Sequence, residues 1–401
     1  MPFARTEPLR RELERVLAER PFTLRFWDGS RLEATCGEGP TFTLRSPAAL
    51  AHQLRAPGQL GLGRAYASGE LAVDDLDRLI TLLDTFKAPP IGSAARVRLA
   101  LAAALACGPR RLPSIPASEL RPRGRRHSPE RDARAVRHHY DVPGEFFAMF
   151  LDESMTYSCA AFRDGAQTLE QAQRVKLEMV CRKLELQQGQ RVLDVGCGWG
   201  SFVLHAAREH GVHAVGITLS PAQARLARQR VAQAGLSERV EIRVADYRSL
   251  VGERFDAIAS IGMVEHVGSS QIDAYVGRLA ALLRTDGRLL NHGIARLRHG
   301  DPEAGPFSER YVFPDAAPLH LSRVLLALER AGIEPLHVEG LREDYVRTLS
   351  AWIERLDGSL VPAERLAGAE RLRVWRLYLR AARKGFSSGF TSVFQVLGRR
   401  G

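Results

Sequence analysis

Residues 191–200, RVLDVGCGWG, constrain this chain more than any other stretch. An apolar run stops at three glycines in alternate positions, and a helix-forming segment comes next. Read locally, this is a strand, a tight loop and a helix start. Glycine suits such a loop because, without a Cβ, it takes positive φ at little cost and lets the backbone come close to a ligand. Downstream, strand and helix signals alternate, as a parallel α/β sheet requires. Strands are expected at 212–219, 240–244, 255–261 and 288–294, and helical spacing at 271–283; Ser220-Pro221 supplies an N-cap and a proline at the first helical position. Ligands of open α/β sheets bind beyond the carboxyl ends of the strands. Gly196, Gly198, Gly200, Thr218, Leu219, Asp246, Tyr247, Glu265, His266 and His292 should therefore converge on one crevice, with Ile261 closing the fourth strand.

The glycine spacing narrows the ligand. A dinucleotide fingerprint places its third glycine one residue later, as G-x-G-x-x-G, so this tighter G-x-G-x-G favours S-adenosylmethionine over NAD. Asp194 and the loop N–H groups would meet the methionine part, and Asp246 is either an acceptor for the adenine amine or a helix N-cap. A ribose-binding acid is expected at the end of the second strand. Thr218 stands there instead, so a hydroxyl must serve the ribose, with Gln223 in reach.

Further motifs carry a family resemblance: His139-Tyr140-Asp141-Val142, Met155-Thr156-Tyr157-Ser158-Cys159-Ala160, the glycine loop, Gly216-Ile217-Thr218-Leu219-Ser220, Gly262-Met263-Val264-Glu265-His266-Val267-Gly268 and Arg310-Tyr311-Val312-Phe313-Pro314. In this order they resemble the cyclopropane-fatty-acyl-phospholipid synthases, with features of the actinobacterial branch at 291–296 and 385–398. The resemblance implies a Rossmann-like α/β S-adenosylmethionine methyltransferase domain with a smaller α+β N-terminal domain. It also implies methyl transfer to the cis double bond of an unsaturated phospholipid acyl chain, then ring closure after a base removes a proton. Tyr157 and Ser158 join the implied cofactor contacts. The implied base is a bicarbonate ion held by Cys159, Glu265, His292, the backbone of Ile294, and Tyr345. Two alternatives stand beside this reading: the same transfer giving a 10-methylene-branched chain, a tuberculostearic acid precursor, and a non-catalytic lipid-binding module. An intact glycine loop with Glu265 and His292 argues against the module.

At 401 residues two domains are expected. The division reads as a lipid-binding domain at 1–87, a basic linker rich in proline and arginine at 88–137, and the catalytic domain at 138–401. Arg121, Arg123, Arg125, Arg126, Arg131, Arg134 and Arg137 crowd the linker. The net charge of +11 asks for an acidic partner, and lysine occurs only at Lys87, Lys176, Lys183 and Lys384, so arginine, whose fork suits phosphates, carries it. Membrane phospholipid is favoured over nucleic acid, because the Asn/Asp-Pro-Pro-aromatic grip of base-amine methyltransferases is replaced here by 262–266. With no signal-peptide or membrane-spanning pattern, the expectation is a cytoplasmic protein that visits the inner membrane face, with a homodimer as a candidate assembly. The five cysteines lack paired metal spacing, fit a reducing compartment, and give no expectation of a metal.

Overall fold

The computed structural model describes the chain except residues 1–5, 109–112, 122–123, 141, 299–304 and 317, and the side chains of 129 and 138–140. The core of the 139–142 motif and Arg123 thus lie outside the described residues. The chain divides into two compact units: Met1–Leu120 with Gly305–Val312 and Gly368–Ala381, and Arg121–Ala304 with Phe313–Ala367 and Ala382–Gly401.

The smaller unit is α+β. Its sheet has β1 (Thr23–Arg25), β2 (Arg31–Leu32), β3 (Thr41–Leu44) and β4 (Leu71–Val73) in the order β2-β1-β3-β4. The helix Ser93–Cys107 buries Ala102 and Ala106 against Leu9, Phe26 and Leu32. Inside this unit Arg64 grips Glu119 through two bonds of 2.7 Å, and the Tyr311 hydroxyl donates to the same carboxylate at 3.2 Å.

The larger unit is a Rossmann-like α/β domain. Its sheet comprises β5 (Arg191–Val195), β6 (His213–Thr218), β7 (Val240–Val244), β8 (Phe255–Ile261), β9 (Leu283–Arg296), the short β10 (Leu319–His320), β11 (Ile333–Gly340) and β12 (Thr391–Arg400). The order is β11-β12-β9-β8-β5-β6-β7, with β10 beside β9. The first five are parallel, while β12 runs antiparallel to both β9 and β11. Alternate residues of a strand face opposite sides. Leu193 and Val195 accordingly enter one apolar cluster with Ile217 and Ile258, whereas Val192 enters another with Ala214, Ile242 and Ala257. The connections reverse direction between β5 and β8, which places the switch-point crevice at the glycine loop.

The expected linker at 88–137 is corrected by this structure. Its alanine-rich part forms the helix Ser93–Cys107 of the smaller unit, because alanine is the strongest helix former. Its basic end enters the helix Pro129–Tyr140 of the larger unit, where proline is tolerated at the first helical position. Arg131 is held by two bonds of 2.5 Å to Asp315. The division falls at Leu120 and Arg121, and later segments return to the smaller unit.

Candidate active site

At the carboxyl ends of β5, β6, β7 and β8 lies a cleft. Tyr157, Ser158, Asp194, Gly196, Gly198, Thr218, Leu219, Gln223, Asp246, Tyr247 and Ile261 all line it. Gly200 does not. At φ 85° it caps the helix Ser201–His210, and an added Cβ there would meet Ala227 at 3.4 Å, so the third glycine serves the turn and the packing beneath it. Gly198 has φ 53° and nothing within 4 Å of an added Cβ, which leaves a cradle open to the cleft. Thr218 donates to Gln223 Oε1 at 2.7 Å, so the two expected ribose partners stand side by side. Asp246 caps the turn Tyr247–Ser249 through Arg248 N at 2.9 Å, and Arg248 also reaches both of its oxygens at 2.8 and 2.6 Å. The capping role thus holds in this structure, within the cleft wall.

Two positioning residues escaped the sequence reading. In the helix Leu169–Lys183, capped by Thr168, Gln173 and Lys176 lie one turn apart on a single face. Gln173 Nε2 donates to the carbonyl of Ser158 at 2.9 Å, and Lys176 Nζ donates to Ser158 Oγ at 2.9 Å. The pair fixes the 156–158 segment along the cleft. Lys176 is 1 % exposed, and burial lowers its ammonium to about 8, against the opposing pull of Asp152 and Asp194. Asp194 is buried too: desolvation raises it to about 7, countered by Lys176, and its Oδ1 has no hydrogen-bond partner. A ligand bearing ammonium and carboxylate groups, such as the amino-acid end of S-adenosylmethionine, complements an acid and a base placed this way. Only a lysine at helical spacing behind an apolar face could have hinted at it.

The five expected catalytic residues adjoin this lining without forming it. Cys159 follows Ser158, Glu265 precedes His266, and His292 pairs with Ile261 across the sheet. They assemble as two groups. Glu265 Oε1 accepts from Ile294 N at 2.7 Å, and His292 shares a strand face with Ile294. Cys159 directs its thiol to the carbonyls of Ala160 and Leu341, at 3.1 and 3.5 Å, and Leu341 O also accepts from Tyr345 N at 3.0 Å. Tyr345 packs on Phe386 and Trp352, and Trp352 packs in turn on Tyr157 of the cleft. Burial, with Asp344 nearby, pushes the Cys159 thiol well up.

One chain of hydrogen bonds sets a proton position. Lys183 Nζ donates to Gln395 Oε1 at 2.6 Å, which turns the amide nitrogen towards His292 Nδ1 at 3.2 Å. Nδ1 must accept, so the proton sits on Nε2. That Nε2–H is buried with no hydrogen-bond partner, and so is Glu265 Oε2. Burial, with Lys176 and Lys183 nearby, holds His292 well below its ordinary value and therefore neutral, while burial raises Glu265 to about 7. A neutral donor and a readily protonated carboxyl without partners suit a small oxyanion such as bicarbonate, which accepts from one and can exchange a proton with the other.

The fold and this cleft define an S-adenosylmethionine-dependent methyltransferase. Residues 127–396 match the sequence profile described as mycolic acid cyclopropane synthetase, and the chain belongs to that family. A probable fatty acid methyltransferase of Pseudomonas putida is 38% identical, the match covering 94% of this chain and 91% of the relative. The cyclopropane-fatty-acyl-phospholipid synthase of Escherichia coli (strain K12) is 36% identical over 66% of this chain and 67% of its own. Among solved structures, mycolic acid cyclopropane synthase CmaA1 complexed with SAH and CTAB superposes with a TM-score of 0.63 at 31% identity, covering 67% of this chain and 98% of the other.

Proposed function

We propose that this methyltransferase acts on the cis double bond of unsaturated acyl chains in membrane phospholipids and forms cyclopropane fatty acids. The observation that carries the reading is that His292 Nε2 and Glu265 Oε2, one on β9 and the other on a turn bonded to β9 at Ile294 N, are both buried without hydrogen-bond partners, while His292 pairs with Ile261 of the cofactor cleft. S-adenosylmethionine, when bound, supplies an electrophilic methyl group. An alkene is a weak nucleophile, so the protein's tasks are alignment, exclusion of water and removal of a proton once the methyl has moved. The aromatic wall of half-buried Tyr157 backed by the buried Trp352, Tyr345 and Phe386 keeps water out. His292 and Glu265, with the Ile294 segment, Cys159 and Tyr345, form the shell in which a bicarbonate ion serves as base. The family and the names of the relatives support lipid acyl chains as the substrate class.

The test is expression in a host lacking its own synthase, followed by mass spectrometry of phospholipid acyl chains. Unsaturated chains should gain one CH₂ and resist ozonolysis; a product that ozonolysis cleaves would be the methylene-branched chain instead. Unchanged acyl chains, with a folded protein that binds S-adenosylmethionine, would overturn the lipid assignment. Activity that ignores bicarbonate in carbonate-depleted buffer would leave Glu265 as the direct base.

A further inference from the structure

A second cluster lies away from the cleft, where the helices Leu169–Lys183 and Ser201–His210 pack together. Cys181, His205 and His210 bring one sulfur and two imidazole nitrogens within 4.8 Å of one another. Glu178, one turn before Cys181, adds a carboxylate: its Oε2 lies 3.3 Å from His205 Nε2 and 3.0 Å from His210 Nε2. None of the four lines the cofactor cleft.

We propose that Glu178, Cys181, His205 and His210 form a structural site for a zinc-type divalent cation. The donor set of one thiolate, two imidazoles and one carboxylate is of the kind this borderline-soft ion selects. Tetrahedral bonds of about 2.0–2.3 Å set neighbouring ligand atoms about 3.3–3.8 Å apart; the Glu178–imidazole distances of 3.3 and 3.0 Å are already of that order, and the thiol and imidazoles, within 4.8 Å, draw together as the cation binds. The surroundings are those of a supported site: Cys181 is fully buried, and Arg182 Nε holds the other Glu178 oxygen, Oε1, at 2.8 Å. Cation uptake releases the thiol proton of Cys181, and each imidazole keeps its remaining proton on Nδ1. One thiolate and one carboxylate then balance the two positive charges, so the closed site is neutral.

Its place in the fold gives it a purpose. One helix carries Gln173 and Lys176, which hold the 156–158 segment; the other starts where the glycine loop ends. A cation between them ties together the two supports of the cofactor cleft from behind.

Untagged full-length protein, stripped with a chelator, is titrated with cobalt(II) as a spectroscopic stand-in. The expected result is a thiolate-to-cobalt charge-transfer band with the strong visible bands of tetrahedral cobalt, saturating at one equivalent. Cys181→Ser should lose the charge-transfer band, and the pair His205→Ala and His210→Ala should lose both features. Zinc(II) should raise the melting temperature of the wild type and leave that of the double variant unmoved. A wild-type spectrum showing only weak, octahedral cobalt overturns the site, as does a charge-transfer band that survives in Cys181→Ser. The wild-type spectrum alone reports thiolate ligation, so an unstable variant does not remove the test.

Discussion

At the scale of single residues, the arrangement of charge around Ser158 makes the strongest demand. Lys176 is a buried cation bonded to Ser158 in the segment proposed to meet the amino-acid end of the cofactor, and a hydrogen bond to a charged group is worth about 1.5–3 kcal/mol. Lys176→Met should therefore weaken S-adenosylmethionine binding by about 10- to 100-fold. The affinity of 5′-methylthioadenosine, which lacks the carboxylate, should barely change. Calorimetric titration of both ligands checks this, and an equal loss for the two would make Lys176 a packing residue only. Glu265 makes a different demand. Its folded value of about 7 lies above its ordinary 4.5, so the native state keeps a proton that the unfolded chain has released. Stability from this group is present below about 4.5 and is lost as pH rises towards about 7. Relative to the wild type, Glu265→Gln should thus gain melting temperature across that window, and a difference that stays flat with pH would count against a buried ionising carboxyl.

Among the elements, the close approach of the Val264–His266 turn to β9 builds the proposed anion shell. An added Cβ on Gly293 would come within 2.3 Å of Val264 Cγ1, a stiff branched side chain that cannot step aside cheaply. Gly293→Ala should push the turn outward, stretch the Glu265–Ile294 bond, and cost about 1–3 kcal/mol as overpacking does. Turnover should fall while S-adenosylmethionine affinity holds; full turnover in a destabilised variant would show that the turn tolerates the shift. The same elements show what a sequence can and cannot say. β5 to β9, the helix Ile272–Leu282 and the Ser220 cap were legible because each is written in local period and capping residues. The insertion of β12 between β9 and β11 was not, because pairing between Arg288 and Arg399 leaves no local trace. Gln395 was missed with it. The Cys181, His205 and His210 cluster is hidden for the same reason: its donors come from two helices and meet only through packing. The linker reading went astray because prolines that flank helices resemble prolines that forbid them.

The whole molecule carries its charge unevenly. Arg131 is committed to Asp315, but Arg121, Arg125 and Arg126 remain exposed, with Arg126 a further 3.5 Å partner of Asp315. No described helix is long and apolar enough to cross a membrane; under the proposed function, exposed arginines such as these would supply the attraction to an anionic lipid surface. Each cation near an anionic membrane contributes about 1 kcal/mol. Replacing these three arginines with Gln should weaken binding to anionic vesicles in co-sedimentation at low salt, and the difference from the wild type should shrink as salt is raised. Equal binding of both proteins at low salt would move the membrane contact elsewhere.

The reversed strand β12 also has a consequence for how the protein is made. A ribosome delivers β9 long before β12, so the growing sheet waits with one open edge, the kind of edge that invites pairing with other chains. Gln395 arrives on that late strand, and with it comes the hydrogen bond that sets the proton on His292 Nε2. Closure of the sheet and readiness of the site are therefore one event. A chain that has not yet paired β12 lacks the Gln395 amide that orients His292, so the late strand completes the site as well as the sheet.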